Sequence, residues 1–456
     1  SAERGWLVVS PGLDHSEQTD PDTALAVAEA LTRRFEHDAW AQARASELFT
    51  RSGALQRGED SLGAALHEVD SVLARRQLWT GWCDAIGDVD ERDRRDGALR
   101  GAELALDFDD VDIALRLAQE ATIGSTPPEF RTSFVLGRAQ LARGDLIAAR
   151  VSFERALASA APSDRAEILG YVAEQEYLAG NHAEAERLAN ETLAASPKPA
   201  IRLHARNTLG KLLLARSEWE AAEKHFAADE YDAACADLDV AQLRARTNRA
   251  VALLSRQCTD PARAMLESVL ADAERRRELR ARAFALSNLA VLAIERHDFV
   301  EAIALCEQAI DARRRLGDKI GLARVIANLA ELRVRLGLLD EAEQVLSFAR
   351  NTLGASIPAA YSALFALVSG WILLARGDTA GAAQQLHLAL PAIGGWTDGA
   401  RLGECHRLAA RIALEDGDTR GAEAAIRQAR ALADSEQAIA ETTLLEALLA
   451  RARGRN

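Results

Sequence analysis

Small residues recur along this chain at nearly constant intervals. Nine alanines stand in similar apolar surroundings, and the intervals between them are 35, 36 and 37 residues and then 40 residues five times. They are Ala114, Ala149, Ala185, Ala222, Ala262, Ala302, Ala342, Ala382 and Ala422. Twelve residues before each of them stands another small residue: Ala102, Gly137, Ala173, Gly210, Ala250, Ala290, Ala330, Gly370 and Ala410. This regularity indicates nine copies of one structural unit.

Each unit has the pattern of two helices joined by a tight turn. A packing residue follows each alanine of the first series at the fourth position, and an alanine frequently follows at the seventh. This spacing places them on one helical face. Five turns contain a glycine that can end a helix in the left-handed conformation, and we expect His297 to take that place in a sixth. A pair this small cannot bury both its faces, so the units are expected to stack into an all-α solenoid.

The composition agrees with helices that pack closely over small side chains. Aromatic residues make up 5% of the chain and apolar residues 48%, so large rings cannot fill the interior. The apolar runs are far shorter than the roughly 18 residues that span a bilayer, and we expect a cytoplasmic protein without a membrane segment. The formal net charge of −14 argues against a nucleic-acid partner, because phosphate binding needs a basic surface.

Sequence motifs of catalysis and metal binding are missing. The chain contains no GxxxxGK[ST] phosphate loop, no GxSxG nucleophile elbow and no HExxH pair. Its five cysteines lie far apart, which favours buried apolar residues over disulfides or zinc ligands. We therefore expect no cofactor, no metal and no enzymatic activity. An enzyme with its catalytic residues in the first 97 residues is an alternative for which no nucleophile and base can be named.

The units resemble tetratricopeptide repeats. The small residues, the turn glycines and second helices such as "ARGDLIAARVSFERAL" match that motif. The run "ARRRLGDKIGLARVIANLAELRVRLGLLDEAEQVL" is similar to the 40-residue variety found in kinesin light chains and in the arms of MalT-like bacterial regulators. The resemblance covers residues 98–434 and implies a right-handed superhelix of about nine repeats.

The segments outside the repeats have different patterns. We expect residues 1–20, with the strand-like run "WLVVS", to be a tail or the remnant of a preceding domain. Residues 21–97 are expected to form irregular helices or degenerate repeats, with Trp40, Trp79 and Trp82 packed between them. Residues 435–456 are expected to form a capping helix and tail. Because the first residue is Ser and the only methionine is Met265, we expect the chain to be part of a larger protein.

One polar feature repeats among apolar neighbours. Asn248, Asn288 and Asn328 stand two residues before the small residue of the first helix, at a spacing of 40 residues. The resemblance implies that the first helix lines a concave groove and that asparagines there bond the backbone of an extended peptide. The amide suits this role because it has two donors and an acceptor. The neighbouring groove positions hold Arg244, Thr247, Phe284, Ser287, Arg324, Glu331 and Arg335.

Two questions about these residues stay open. The arginines favour a partner that bears carboxylates. The asparagines have an alternative role, which is to pair with the backbone of a neighbouring helix, since a buried unpaired amide costs about 1–3 kcal/mol. Two arginine-rich segments, residues 274–282 and 311–319, fall at the ends of second helices. They are expected to form a solvated edge or, alternatively, a patch for an acidic partner.

The leading hypothesis is a non-enzymatic scaffold that binds a protein or an extended peptide in its groove. The resemblance further implies the sensor or partner-binding arm of a larger bacterial-type signalling regulator. The alternative is a small-molecule or second-messenger sensor that controls an attached effector. A structural assembly scaffold is a further alternative.

Overall fold

The computed structural model describes residues 21–69, 72–123, 130–354, 357, 359–393, 399–433 and 435–454. This part of the chain contains 23 α-helices and no strand, which confirms the all-α prediction. The predicted tail, with its strand-like run "WLVVS", lies outside the described residues. None of the helices in the described part is both long enough and apolar enough to cross a membrane.

Four helices precede the repeats in the described part of the chain. They are α1 (Pro21–Arg34), α2 (Ala39–Arg51), α3 (Leu55–His67) and α4 (Val72–Gly87). Trp79 and Trp82 are almost completely buried in one apolar cluster, and the partly buried Trp40 packs against it. This confirms that the three tryptophans serve packing between helices.

Nine helix pairs follow, and each has a first and a second helix. The pairs are α5 (Glu91–Asp107) with α6 (Val111–Thr122), α7 (Phe130–Arg143) with α8 (Leu146–Ser159), α9 (Pro162–Leu178) with α10 (His182–Ala195), α11 (Pro199–Ala215) with α12 (Trp219–Cys235), α13 (Asp239–Ser255) with α14 (Thr259–Arg275), α15 (Leu279–Glu295) with α16 (Phe299–Leu316), α17 (Lys319–Arg335) with α18 (Leu339–Leu353), α19 (Ala359–Ala375) with α20 (Thr379–Ile393), and α21 (Gly399–Glu415) with α22 (Thr419–Ala431). All eighteen small residues of the two series are buried. The last helix, α23 (Glu436–Arg453), packs on α21 and α22 as a capping helix.

The turns inside the nine pairs share one backbone feature. In each, the residue five positions before the alanine of the second helix has a positive φ, and His297 is one of them, as predicted. Glycine supplies it at Gly144, Gly180, Gly337, Gly377 and Gly417, and the remaining turns use Asp109, Ser217, Gln257 and His297. The next residue often caps the second helix: the carboxylate of Asp418, for example, accepts a hydrogen bond from the Gly421 amide at 2.9 Å.

The chain divides into two compact units, unit 1 (Ser1–Ala281) and unit 2 (Arg282–Asn456). Within unit 1, first helices pack on the next first helix from α5 to α13, and within unit 2 the same holds from α17 to α21. Successive second helices show no comparable packing in the described part of the chain. The first helices therefore lie on the inner side of each curved stack, and their free faces line it.

Candidate binding surface

Three positions of each first helix recur on the face that is turned toward the inner side of the stack, and in some helices one of them is buried, as Val135 and Leu408 are. The three positions stand six residues before, two residues before and one residue after the small residue. This i, i+4, i+7 spacing gives one stripe along the helix, which we call the groove stripe. In unit 2, Glu331 belongs to the stripe of α17 and accepts a hydrogen bond at 2.7 Å from Arg401 of α21, a first helix two pairs further on. Such a contact is possible only from the inner side.

The groove stripe of α17 holds three of the predicted residues, and Arg335 extends it by one turn. Arg324 is exposed and Asn328 is half-buried. Neither side chain has a hydrogen bond or ion pair with any residue in the described part of the chain. Asn328 therefore keeps two donors and an acceptor for another molecule, and Arg324 keeps its full charge.

Glu331 and Arg335 are instead occupied inside unit 2. The carboxylate of Glu331 accepts hydrogen bonds from Arg335 at 2.5 Å and from Arg401 at 2.7 Å, and Arg401 also donates to Glu404 at 2.9 Å. Burial raises the pKa of Glu331, but the two guanidinium groups outweigh it and the pKa lies below its usual value. Burial and the charge of Glu331 raise the pKa of Glu404. This network shapes the surface and adds little net charge to it.

The predicted residues of α15 make contacts within unit 2. The amide of Asn288 donates one hydrogen bond to the carbonyl of Phe284 at 2.8 Å, which leaves its second N–H and its oxygen. The Ser287 hydroxyl donates to the Ala283 carbonyl at 2.6 Å and accepts from Arg313 at 3.1 Å. The Arg313 guanidinium also lies 4.5 Å from the ring centre of Phe284.

Arg313 corrects one expectation about the arginine-rich segments. Its side chain is 1% exposed, so it does not belong to a solvated edge. It forms an ion pair with Asp318 and closes the end of α16 against α15 through Ser287. A guanidinium can be buried at this place because its donors are satisfied there.

The other three predicted residues lie on α13 in unit 1. Thr247 is buried, and its hydroxyl donates to the Leu243 carbonyl at 2.8 Å, so it does not face the groove. The amide of Asn248 donates to the side-chain oxygen of Asn207 on α11 at 2.7 Å. Arg244 is half-buried and has no ion pair or hydrogen bond in the described residues. Asn248 and Asn288 thus each use one N–H inside the protein, on a side chain and on the carbonyl of the same helix, and neither bonds the backbone of a neighbouring helix in the described part of the chain. Asn328 makes no such bond in the described residues.

The groove stripe of unit 1 also holds charged and aromatic residues that the sequence analysis did not single out. They are Arg138, Tyr171, Glu174, His204 and Lys211. Lys211 lies 2.9 Å from Glu174, and the centre of the His204 ring lies 4.3 Å from that of the Tyr171 ring, with the two planes tilted by 32°. The Arg138 guanidinium lies 5.2 Å from the centre of the Tyr171 ring. All five fall at the three stripe positions. The repeat pattern therefore contains the signal that identifies them.

Burial and neighbouring charges set the protonation of two of these groups. It lowers the pKa of His204 to about 4, against the opposing charge of Glu174, so the ring is neutral at pH 7. Burial raises the pKa of Glu174, but Lys211 and His204 outweigh it, and the carboxyl stays ionised well below its usual range. At neutral pH, Glu174 is therefore balanced by Lys211.

Comparison with known protein families confirms the nature of the repeat. Residues 281–349 match the family model of the tetratricopeptide repeat. The same helix pair, with the same small residues and turn, recurs from α5 to α22. The chain contains tetratricopeptide repeats.

Two solved structures share the fold of this tetratricopeptide-repeat protein. A Rap protein complexed with competence and sporulation factor is 14% identical, with a TM-score of 0.53 over 76% of this chain and 99% of that chain. A signal transduction ATPase with a tetratricopeptide-repeat sensor from Pyrococcus horikoshii is 13% identical, with a TM-score of 0.50 over 80% of this chain and 54% of that chain. At these identities the likeness is one of fold. No curated protein matches this chain significantly.

The inner side of each unit presents amides, guanidinium groups and aromatic rings on its first helices. No cluster of three or more His, Cys, Asp or Glu side chains that could hold a metal ion occurs in the described part of the chain. The surface offers hydrogen bonds and positive charge to a partner.

Proposed function

We propose that this protein is a non-enzymatic scaffold that binds an extended peptide or protein segment on the first helices of unit 2. Asn288 and Asn328 form hydrogen bonds with the backbone of the bound segment, and Arg324 pairs with an acidic side chain. The protein serves as the sensor or partner-binding arm of a larger signalling regulator.

The observation that carries this proposal is the unpaired amide of Asn328. Its neighbours Leu329 and Ala330 are buried, yet the side chain of Asn328 has no partner among the described residues. A half-buried amide without a partner is costly unless water or a ligand satisfies it. Asn288 occupies the same position on α15, the preceding first helix, and keeps one N–H and its oxygen.

Charge supports an acidic partner for this surface. Arg324 is exposed, has no partner in the described residues, and lies one helical turn before Asn328. The nearest acid on the same stripe, Glu331, is already neutralised by Arg335 and Arg401. A guanidinium in this setting pairs with carboxylates through charge-assisted hydrogen bonds.

The solved structures with the same fold include a binding protein and a sensor. The Rap protein was solved in complex with competence and sporulation factor, and the repeats of the archaeal ATPase are described as its sensor. Both uses agree with a scaffold whose inner side receives a ligand.

Selection of binders from a displayed random-peptide library tests the proposal. Affinities of the selected peptides are measured by fluorescence anisotropy. The double variant Asn288→Ala/Asn328→Ala should bind them at least about tenfold more weakly, because each lost hydrogen bond contributes about 0.5–1.5 kcal/mol. The matched control is Asn351→Ala, on the second helix α18, where the side chain is exposed. It should leave the affinity unchanged.

Backbone methylation makes the test specific. N-methylation of the selected peptide, one position at a time, should weaken binding to the natural protein at the positions that pair with Asn288 and Asn328. The same methylations should have no effect on the double variant. A selection that yields no saturating binder, or equal affinities for the natural protein and the double variant, would refute the proposal.

A further inference from the structure

The inner side of unit 1 carries more positive charge than its own acids neutralise. By position, its groove stripe holds five cations and four acids, which are Arg100, Arg131, Arg138, Lys211 and Arg244, and Asp96, Glu103, Glu167 and Glu174. Ion pairs join Arg100 to Asp96, Arg131 to Glu103 and Lys211 to Glu174, and His204 is neutral at pH 7. Among the described residues, the guanidinium groups of Arg138 and Arg244 therefore remain without an ion pair, against the one unpaired carboxylate of Glu167.

Neither guanidinium is paired elsewhere in the described part of the chain. Arg138 contacts the rings of Phe134 and Tyr171, at 5.8 Å and 5.2 Å from their centres, and has no ion pair. Arg244 has no hydrogen bond or ion pair. Both side chains are half-buried, and burial lowers the pKa of Arg244. A buried charge without a partner is unfavourable, so the site is poised for an anion.

The nearby acids do not fill this role. Glu174 and, more weakly, Asp229 act on Arg244 electrostatically, but Glu174 is bound by Lys211 at 2.9 Å and the Asp229 carboxylate lies 2.6 Å from Arg206. Asp107 acts on Arg138, yet no ion pair joins them, and burial raises the pKa of Asp107. The positive charge of Arg138 and Arg244 therefore remains available to a ligand.

Contacts at the start of α15 enclose this side of unit 1. Arg277 donates to the carbonyl of His67 at 2.5 Å and pairs with Glu68 at 3.2 Å. Arg280 donates to Asp109 at 3.0 Å. These contacts bring the beginning of α15 against the end of α3 and the turn after α5, some two hundred residues earlier in the chain. The stack of unit 1 thereby closes on itself around its groove stripe, which favours a small ligand over a long segment.

We propose that the inner side of unit 1 binds a small polyvalent oxyanion, a polycarboxylate or a phosphoryl compound, between Arg138 and Arg244. The planar guanidinium group matches both carboxylate and phosphoryl oxygens in bidentate geometry. The neutral His204 ring, held against Tyr171, forms one wall of the site. The site is independent of the peptide surface proposed in unit 2, since the two share no residue.

Titration calorimetry with citrate and with pyrophosphate tests the site at constant ionic strength, with sodium chloride as the reference salt. At least one of the two anions should bind saturably to the natural protein and raise its thermal unfolding temperature. Binding of citrate alone identifies a carboxylate site, binding of pyrophosphate alone identifies a phosphoryl site, and binding of both identifies a general oxyanion site. Saturable binding of neither overturns the proposal.

Charge variants locate the site. Arg138→Gln and Arg244→Gln should each weaken binding at least tenfold. Matched controls remove one charge from the ends of the same helices, through Arg143→Gln on α7 and Arg256→Gln directly after α13. Both should keep the affinity of the natural protein. Equal losses in the variants and the controls would show diffuse electrostatic attraction and overturn the site.

A measurement on the natural protein covers the case in which a variant fails to fold. Phenylglyoxal modifies accessible arginines, and mass spectrometry quantifies the modification at each position. The bound anion should slow modification of Arg138 and Arg244 and leave Arg143 and Arg256 unaffected. Unchanged rates at Arg138 and Arg244 would contradict the proposal.

Discussion

Two glycines and two phenylalanines show how single residues set the spacing of a helix pair. Gly137 faces Phe153 in α7 and α8, and Gly210 faces Phe226 in α11 and α12. A Cβ atom at position 137 would lie 2.6 Å from the Phe153 ring. Most of the other pairs have alanine at this place and a smaller partner, such as Ala330 with Leu346. The small position is therefore matched to the size of the residue that it meets.

Gly137→Ala should destabilise unit 1. The added methyl group clashes with Phe153, which costs about 1–3 kcal/mol and exceeds the gain of about 1 kcal/mol in helix propensity. Phe153→Leu in the same chain should restore part of the loss, because alanine with leucine is a combination that other pairs use. Urea unfolding followed by circular dichroism measures both effects.

Gly63→Ala is the matched control, since a Cβ atom there would make an ordinary 3.7 Å contact with Leu104. It should raise the free energy of unfolding by up to about 1 kcal/mol. If the costs of Gly137→Ala and Phe153→Leu simply add in the double variant, the two side chains do not compete for space.

His204 should make stability depend on pH. Its pKa is about 4 in the folded protein and about 6.5 in an unfolded chain. Between pH 7 and pH 5 the unfolded chain gains a proton that the folded protein does not, so the free energy of unfolding falls as the pH falls. The expected loss is about 2 kcal/mol. The lowered pKa of Glu174 acts in the same direction, but at lower pH.

The His204→Asn variant isolates this effect. Its unfolding midpoint in urea should change less between pH 7 and pH 5 than that of the natural protein. His37→Asn, which replaces an exposed histidine, should retain the full pH dependence. Identical pH profiles for the natural protein and His204→Asn would mean that the ring is freely protonated in the folded state.

At the scale of the element, every helix pair depends on one residue in the left-handed conformation. Five pairs use glycine, which adopts it without strain, and four use another residue. For a side chain other than glycine this conformation costs roughly 1–2 kcal/mol. The turn is therefore imposed by the packing of the two helices even where the local sequence opposes it.

Ser217→Gly and Gln257→Gly should each raise the free energy of unfolding by up to about 1 kcal/mol, because relief of strain exceeds the entropy gained by the unfolded chain. Both side chains are exposed, so no packing is lost. Gly377→Ala is the reciprocal change and should lower stability by about 1 kcal/mol. Thermal unfolding monitored by calorimetry compares the three variants, and a loss of stability in the first two would contradict the role of the turn.

At the scale of the whole molecule, one repeat supports two different surfaces. The groove stripe of unit 1 is charged and aromatic, whereas α15 and α17 of unit 2 present amides beside the exposed Arg324. The repeats stack through the small residues of the two series, which are buried throughout. Some stripe residues, such as Val135 and Leu408, belong to the buried packing, and the others vary from one pair to the next. Stability in such a stack is roughly a sum over neighbouring pairs, so each surface can change independently.

Most of the fold could be predicted from residue spacing. The helix pairs, their turns and the capping helix follow from patterns within about 40 residues, because helix formation and pair packing are local. The groove stripe was also predictable, since it has a constant phase relative to the small residues. Asn328 was identified in this way, and its role in binding stays a prediction.

The pairing state of the stripe residues depends on the tertiary structure. Glu331 meets Arg401, which lies 70 residues away, and Arg280 meets Asp109, which lies 171 residues away. Whether such residues meet in space depends on how strongly the stack of helix pairs curves. This curvature accumulates over several pairs and has no local sequence signal. The repeat periods determine which positions recur on the stripe, because the helix pairs are local. Only the tertiary structure decides which side chains are buried, which neutralise one another and which remain for a ligand, because the curvature of the stack brings distant residues together.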